Sequence, residues 1–173
     1  MKIAKPYKKA QSRHVTQGFH SNHLAVDLAY KYGSYLVAPE NCRIVKIVKA
    51  EVISESLADM KRGFGIRLKS VSRNAYHTYW HCLPVFPVRV GDFVLQGKPV
   101  AQMGNSGSVM VGGKWLPVEG RLRRGTHLHW DMMIDQIQVD PLKHIDWDIP
   151  VRYSMITAIM AVIQNMINLI KGR

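Results

Sequence analysis

The chain contains only two cysteines, Cys42 and Cys82, among its 173 residues. Two thiols cannot staple a small secreted scaffold, and this length is enough for a hydrophobic core without disulfides. We therefore expect one domain with free thiols. Acidic residues are also scarce, because Asp and Glu total 12 against 24 Lys and Arg and leave a formal charge of +12. This balance favours an anionic partner or substrate over a cationic one.

Other features that the sequence lacks exclude further classes of protein. A composition of 47% hydrophobic and 21% charged residues excludes a disordered or fibrous chain. The sequence has no internal repeat of solenoid period, and its strands and helices do not alternate as in a doubly wound fold. The first residues are basic but no apolar run follows them, so we expect no secretory signal peptide.

The local composition of the sequence divides the chain into three parts. Residues 1–14 carry five Lys or Arg and no acid, which predicts a solvated basic arm. Residues 15–148 consist of short apolar runs separated by Gly, Pro, Asn and Ser, which predicts a mainly β domain. Residues 51–62 are predicted as a short helix, and residues 109–124 as a longer excursion around Gly112 and Gly113. The predicted strands are 24–29, 43–48, 65–70, 75–82, 98–103 and 126–134.

The third part, residues 152–173, predicts a C-terminal amphipathic helix. Residues 155–170 contain no Gly, Pro or charge, and their few polar positions fall in one arc of about 120° on a helical wheel. The apolar arc is too wide for a single flat surface, and the segment is too short to span a hydrocarbon core of about 30 Å. Deep packing into the β domain, pairing with a second copy and binding in a membrane interface each explain this pattern.

Two histidines separated by one residue lie in the last predicted strand. Side chains alternate along a strand, so His127 and His129 emerge on one face while Leu128 and Trp130 enter the other. A pair of imidazoles on one face suits metal binding or catalysis. Chance alternation on a half-exposed strand explains the same spacing, so this motif alone is not specific.

A second spacing joins a histidine to a carboxylate. His23 and Asp27 are four positions apart, which places them on the same side of either a helix or a strand. Both residue types bind zinc, and one histidine of the later pair would complete three ligands with an open fourth position, as in catalytic zinc sites. A surface ion pair is the alternative interpretation.

A third element is Tyr79-Trp80-His81, in the strand predicted over residues 75–82. Regular alternation places His77, Tyr79 and His81 on one face of this strand. His77 therefore competes with His81 for any role assigned to that face.

The three motifs occur in the order His23-x-x-x-Asp27, Tyr79-Trp80-His81 and His127-x-His129. Together they resemble the lysostaphin-type (LytM-type) zinc metallopeptidases, which cut peptidoglycan peptides. The resemblance covers about residues 15–141. Its further matches are Val15-Thr-Gln-Gly-Phe19, Ala38-Pro39, Val90-Gly-Asp-Phe-Val-Leu-Gln-Gly97, Met103-Gly-Asn-Ser-Gly107 and Val139-Asp-Pro141.

The resemblance implies one zinc ion bound by His23, Asp27 and His129. It implies that His81 and His127 are catalytic histidines that do not bind the metal. It also implies a duplicated hybrid motif fold, in which antiparallel strands form a sandwich or half-open barrel with the zinc on the floor of a groove. The remaining histidines match no motif and are predicted to be structural, with His20 and His77 as candidate rim residues; they are His14, His20, His77 and His144.

Two departures from the family pattern stand out. The segment between Gly107 and Gly125 is longer than the short Gly-rich link typical of the family, and Cys42 stands where a turn glycine is common. Neither departure touches the five site residues. We therefore expect activity, with an unusually shaped groove beside His127.

The predicted function is a zinc endopeptidase acting on peptide bonds of bacterial peptidoglycan. We expect a phage enzyme that stays in the host cytoplasm until release or travels on the virion, and the alternative origin is a bacterial enzyme exported by another route. The alternative is an inactive metallopeptidase-like binding or regulatory module, although such modules usually lack one of the five residues. A carbonic-anhydrase-like site needs a third histidine where this chain has the His23/Asp27 pair. A cupin needs a Glu a few residues after the H-x-H pair, where this chain has Met132 and Met133. Both classes therefore fit poorly. No nucleic-acid partner is expected, since contact with an anionic cell wall explains Arg121, Arg123 and Arg124 equally well.

Overall fold

The structure is a computed structural model of the chain that describes residues 2–49, 61–119, 121–149 and 151. The helix predicted over residues 155–170, with its proposed contacts, lies outside the described residues and stays a prediction. The same holds for all but the last two residues of the predicted helix 51–62. None of the helices in the described ranges has the length and apolar content needed to cross a membrane.

Fourteen strands form the described part of the domain, with two short 3-10 helices at Ser12–His14 and Pro141–Lys143. The strands are β1 (Ile3–Ala4), β2 (Val15–Gln17), β3 (Val26–Ala29), β4 (Tyr35–Val37), β5 (Cys42–Val48), β6 (Phe64–Ser70), β7 (Ala75–Cys82), β8 (Phe93–Val94), β9 (Pro99–Gln102), β10 (Val109–Val111), β11 (Lys114–Leu116), β12 (His127–Ile134), β13 (Ile137–Val139) and β14 (Ile145–Asp146).

One large sheet organises these strands. Its order is β2-β3-β12-β7-β6-β5-β8, with β13 paired to β12, and every pairing in it is antiparallel. The expected mainly β, antiparallel class is therefore confirmed, while closure into a sandwich or half-open barrel stays a prediction. Each of the six predicted strands is present, and the strand over residues 75–82 has the predicted bounds.

The alternation of side chains along β12 separates the core from the solvent-facing side. Leu128, Trp130 and Met132 are completely buried, whereas His127 and His129 between them are only partly buried. The core continues through neighbouring strands, where Ile66 and Leu68 of β6 are also inaccessible. The predicted free thiols are confirmed, and both lie in this buried region.

The N-terminal segment is not the solvated basic arm expected from its charge. Ile3 pairs in parallel with Ile145 through β1 and β14, and Tyr7 and Ala10 are about as buried as the central strands. The Tyr7 ring stacks on Tyr30 with centroids 5.2 Å apart. The prediction was wrong for these side chains because it was based on the charged residues, of which Lys2, Lys8 and Lys9 are exposed, and overlooked the apolar positions between them.

Candidate metal and active site

Three predicted ligands converge where β3 meets β12. Asp27 lies directly opposite His129 in the antiparallel register of these strands, so their side chains emerge on one face as a cross-strand pair. His129 Nδ1 lies 2.9 Å from Asp27 Oδ1, and His23 Nε2 lies 3.3 Å from the same oxygen. The two ring nitrogens are 3.4 Å apart. The structure therefore brings together His23, Asp27 and His129.

The chemistry of this donor set fits a zinc ion. Ligand atoms on a tetrahedral zinc at about 2.0–2.1 Å are separated by about 3.3 Å, close to the three spacings of this cluster. Asp27 Oδ1 is buried and receives no well-directed hydrogen bond, despite the two nearby rings. An oxygen left without a proton donor between two imidazoles is suited to a cation.

Electrostatics favour the ionised form of Asp27. Burial alone would raise the pKa of its carboxyl group, but His129, His127 and His23 together outweigh burial and lower that pKa. A hydrogen bond to the backbone orients the His23 ring. Its Nδ1–H donates to the Gly18 carbonyl over 2.9 Å, and Nε2 therefore faces Asp27. Such a second contact fixes the tautomer and the ring orientation of a metal-binding histidine.

His127 is the fourth member of the site, two residues before His129. Its Nδ1–H donates to the Gly125 carbonyl at 2.8 Å, so Nε2 faces the carboxylate at 3.8 Å from Asp27 Oδ2. The His81 and His127 rings are 4.6 Å apart between centroids, and His81 is 5.8 Å from His129. Both predicted catalytic histidines therefore adjoin the ligand cluster.

His81 reaches this cluster by a departure from regular alternation. The expectation that His77, Tyr79 and His81 share a face is wrong at the last position. Between the pairs Phe64↔Cys82 and Ile66↔Tyr79, one residue of β6 opposes two of β7, and His81 has a φ of 59°. This β-bulge turns the imidazole to the face that carries His129.

The His81 ring is held by the loop that follows β9. Its Nδ1–H donates to the Ser106 carbonyl over 2.8 Å, which leaves Nε2 unprotonated in the neutral ring. Burial, reinforced by the neighbouring His127, lowers the pKa of His81 to about 3. The loop packs closely against the bulge, since a Cβ on Gly104 would lie 2.9 Å from the His81 carbonyl oxygen.

Arg121 supports this loop and was missed as part of the site. Its guanidinium is buried and donates to the carbonyls of Asn105 and Gly107, the residues on either side of Ser106. It also donates to the Leu116 and Pro117 carbonyls of the inserted segment. The interpretation of Arg121 as a contact for an anionic wall is therefore wrong, because its donors are already used inside the protein.

A groove of about 1170 Å³ runs over the five site residues. One wall is the β10–β11 hairpin, whose turn residues Gly112 and Gly113 have φ values of 57° and 75°. Such positive φ angles at both central residues are typical of a tight two-residue hairpin turn. The excursion predicted over residues 109–124 thus contains a hairpin beside His127, and exposed Trp115 belongs to it.

The other histidines lie outside the ligand cluster. His77 is fully buried and contacts Glu40 on the core side of β7, so it is neither a rim residue nor a competitor of His81. His20 is exposed, with its ring 5.7 Å from that of His23. His14 contacts the Tyr7 hydroxyl, and the His144 carbonyl accepts the backbone N–H of Ile3.

Comparison with known proteins defines the class of this domain. Residues 21–141 match Peptidase family M23, and the chain belongs to this family. The resemblance to lysostaphin/LytM-type peptidases is therefore confirmed, and membership implies a hydrolase of the peptidase class. No curated protein sequence matches the chain.

Solved structures share the fold. A putative M23 peptidase from Pseudomonas aeruginosa is 19% identical with a TM-score of 0.60, covering 83% of this chain and 49% of that one. A zinc-containing peptidase from Vibrio cholerae is 19% identical with a TM-score of 0.59, covering 84% and 41%. The chain thus spans less than half of each of these two proteins. The catalytic domain of lysostaphin from Staphylococcus simulans is 21% identical with a TM-score of 0.52, covering 82% and 86%.

Proposed function

We propose that this chain is a zinc-dependent endopeptidase that hydrolyses peptide bonds in bacterial peptidoglycan. The observation that carries the proposal is the convergence of one ligand atom each from His23, Asp27 and His129, at separations of 2.9, 3.3 and 3.4 Å. Membership of a peptidase family supports the reaction class. The relationship of the fold to the lysostaphin catalytic domain supports the choice of a cell-wall substrate.

The ligand cluster and the two further histidines have separate tasks in this mechanism. When bound by His23, Asp27 and His129, a zinc ion supplies Lewis-acid chemistry to the scissile carbonyl and to the attacking water. The chain itself supplies two imidazoles, His81 and His127, each with Nδ1–H committed to a backbone carbonyl. In the neutral form of each ring, Nε2 is therefore the nitrogen that can accept the proton of the water.

A proton taken up at Nε2 reverses the hydrogen-bonding role of that atom. The protonated ring then donates to the developing oxyanion or to the leaving amine. Because the two carbonyls fix both rings beforehand, little reorganisation is needed during the reaction. His81 and His127 together thus provide one proton acceptor and one oxyanion donor.

The proposal is tested with purified bacterial walls. We expect the protein to lower their turbidity and to release new amino termini, and a chelator should abolish both effects until zinc is restored. Amino termini that continue to form after complete removal of zinc would contradict the mechanism. A protein that binds walls and zinc without releasing amino termini would instead support the inactive binding or regulatory module.

With peptidoglycan as its substrate, the protein acts at the bacterial cell wall. A phage setting, with release at lysis or carriage on a virion, stays a prediction that genome context can test. Location of the gene outside any prophage, paired with a dedicated exporter, would contradict it.

A further inference from the structure

The groove has a basic edge whose role the metal site does not explain. Lys61 and Arg62 line the groove and both are exposed. Among the described residues that line the groove, Asp27 is the only acidic one, and three histidines already surround it. The outer part of the groove therefore presents positive charge without an acidic partner among its described lining residues, and favours an anionic ligand.

Arg62 is held in place by an aromatic ring. Its guanidinium carbon lies 5.4 Å from the centroid of Trp80, within the range of a cation–π contact. Trp80 is 5% exposed, and its indole N–H donates to the Asp131 carboxylate over 2.8 Å. A guanidinium in a cation–π contact still carries N–H donors that can bind a planar carboxylate.

The ring beneath Arg62 belongs to the strands that build the active site. Trp80 lies opposite His129 in the β7–β12 register and directly precedes His81. The Lys61 carbonyl accepts the backbone N–H of Ser108, which connects this basic edge to the base of the β10–β11 hairpin. The two cations are thus attached to the same framework as the ligand cluster.

Another part of the groove lining is apolar. Met110, Val111 and Trp115 of the hairpin are 44%, 43% and 66% exposed and line the same groove. A groove with a basic edge and an apolar part of its lining is complementary to a peptide that carries both a carboxylate and aliphatic side chains.

We propose that Arg62, assisted by Lys61, binds a free carboxylate of the peptide substrate beside the scissile bond and selects against the corresponding carboxamide. This inference rests on the proposed function and deepens it. Arg62 makes the paired contacts to the two carboxylate oxygens, whereas Lys61 contributes a point charge.

The test compares two synthetic stem peptides that differ only in a glutamyl carboxylate or its carboxamide, with the zinc-loaded full chain. We expect kcat/KM to be at least about tenfold higher for the carboxylate peptide, the size expected for a hydrogen-bonded charge pair. Arg62→Gln should bring the ratio of the two kcat/KM values close to one. Arg62→Lys should retain part of the preference.

Arg67 provides a matched control, because its guanidinium also stacks on a ring, 5.0 Å from the centroid of Tyr76, but does not line the groove. Arg67→Gln should leave the preference unchanged. Equal cleavage of the two peptides by the unmodified protein, or a preference that survives Arg62→Gln, would overturn the inference.

Direct binding of the two peptides separates this inference from the proposed function. Tighter binding of the carboxylate peptide that disappears in Arg62→Gln supports the carboxylate site, even where neither peptide is cut. Cleavage of neither peptide, nor of walls, would then count against the peptidase proposal alone. Equal binding of both peptides overturns the carboxylate site and leaves the peptidase proposal intact.

Discussion

In the described part of the domain, two carboxylates contact histidine: Asp27 in the groove and Glu40 on the core side of β7. Glu40 accepts hydrogen bonds from the Ser70 hydroxyl at 2.8 Å, from Arg73 Nη2 at 2.7 Å and from His77 Nε2 at 2.8 Å. Asp27 Oδ1 has two ring nitrogens at similar distances but no well-directed donor. The same residue types therefore form a closed ion network at one place and an open ligand set at the other.

The titration of the two clusters follows from this difference. At Glu40, burial opposes ionisation, but the contacts with His77, Arg73 and Ser70 outweigh it and lower the pKa to about 2. Burial also lowers the pKa of His77, and its Nδ1 has no hydrogen-bond partner. His77 is therefore a neutral ring that donates from Nε2, and Arg73 supplies the counter-charge. A satisfied carboxylate of this kind is structural, whereas Asp27 retains capacity for a cation.

The largest expected effect comes from replacing each of these two carboxylates in turn. Asp27→Ala should lower wall hydrolysis by at least about 10³-fold, because a metal ligand contributes several kcal/mol to stabilising the transition state. Glu40→Gln should keep activity in the fraction that folds. The activity of each variant is measured as the release of amino termini per folded protein. A comparable loss of activity in the two variants would contradict the assignment of different roles to Asp27 and Glu40.

A smaller loss is expected from the histidines beside the ligand cluster. His81→Ala should lower activity by about 10²–10³-fold, the usual contribution of a general acid or base, while zinc content stays near that of the unmodified protein. Parallel metal analysis and wall hydrolysis measure this separation. Loss of zinc from His81→Ala would show that the bulged histidine belongs to the ligand set.

A smaller reduction of kcat is expected when Arg121 is replaced, because Arg121 supports the loop that holds His81. Arg121→Gln should lower kcat by about 10–100-fold with little change in KM, because a misplaced catalytic ring has a cost of this size. Bound zinc should be retained. Arg123, which stacks on Tyr32 at 5.5 Å, provides the control, since Arg123→Gln should have wild-type kcat. A KM effect without a kcat effect in Arg121→Gln would exclude a positioning role.

The Glu40 network should affect stability rather than activity. Because its folded pKa of about 2 lies below the ordinary value of 4.5, ionised Glu40 stabilises the fold above about pH 4.5 and loses this contribution as the pH falls toward 2. The shift corresponds to about 3 kcal/mol. His77 acts in the same direction, since its lowered pKa favours the unfolded chain once the pH falls below its ordinary value near 6.5.

Urea unfolding of the zinc-free protein and of Glu40→Gln measures this contribution. The difference in unfolding free energy between the two should be largest near pH 7 and should shrink by about 3 kcal/mol on acidification to pH 2. A difference that does not change with pH would contradict the assigned pKa of Glu40.

The two clusters also show what could be predicted from the sequence. Strand alternation is a local rule, and it correctly separated His127 and His129 from buried Leu128 and Trp130. It failed at His81, because the bulge depends on pairing with β6, which no local pattern records. Arg121 was missed for a related reason, since its partners are backbone carbonyls that carry no sequence signal. At the N-terminus, the spacing of Ile3, Tyr7 and Ala10 was available but was outweighed by charge.

Zinc content tests most directly which of the two carboxylate–histidine clusters binds the metal. Metal analysis of the purified full chain should give one zinc per molecule. His129→Ala should contain almost none, whereas His77→Gln, which can still donate a hydrogen bond to Glu40, should contain one. Zinc retained in His129→Ala, or lost from a folded His77→Gln, would contradict the assignment of the metal site to Asp27 and its histidines.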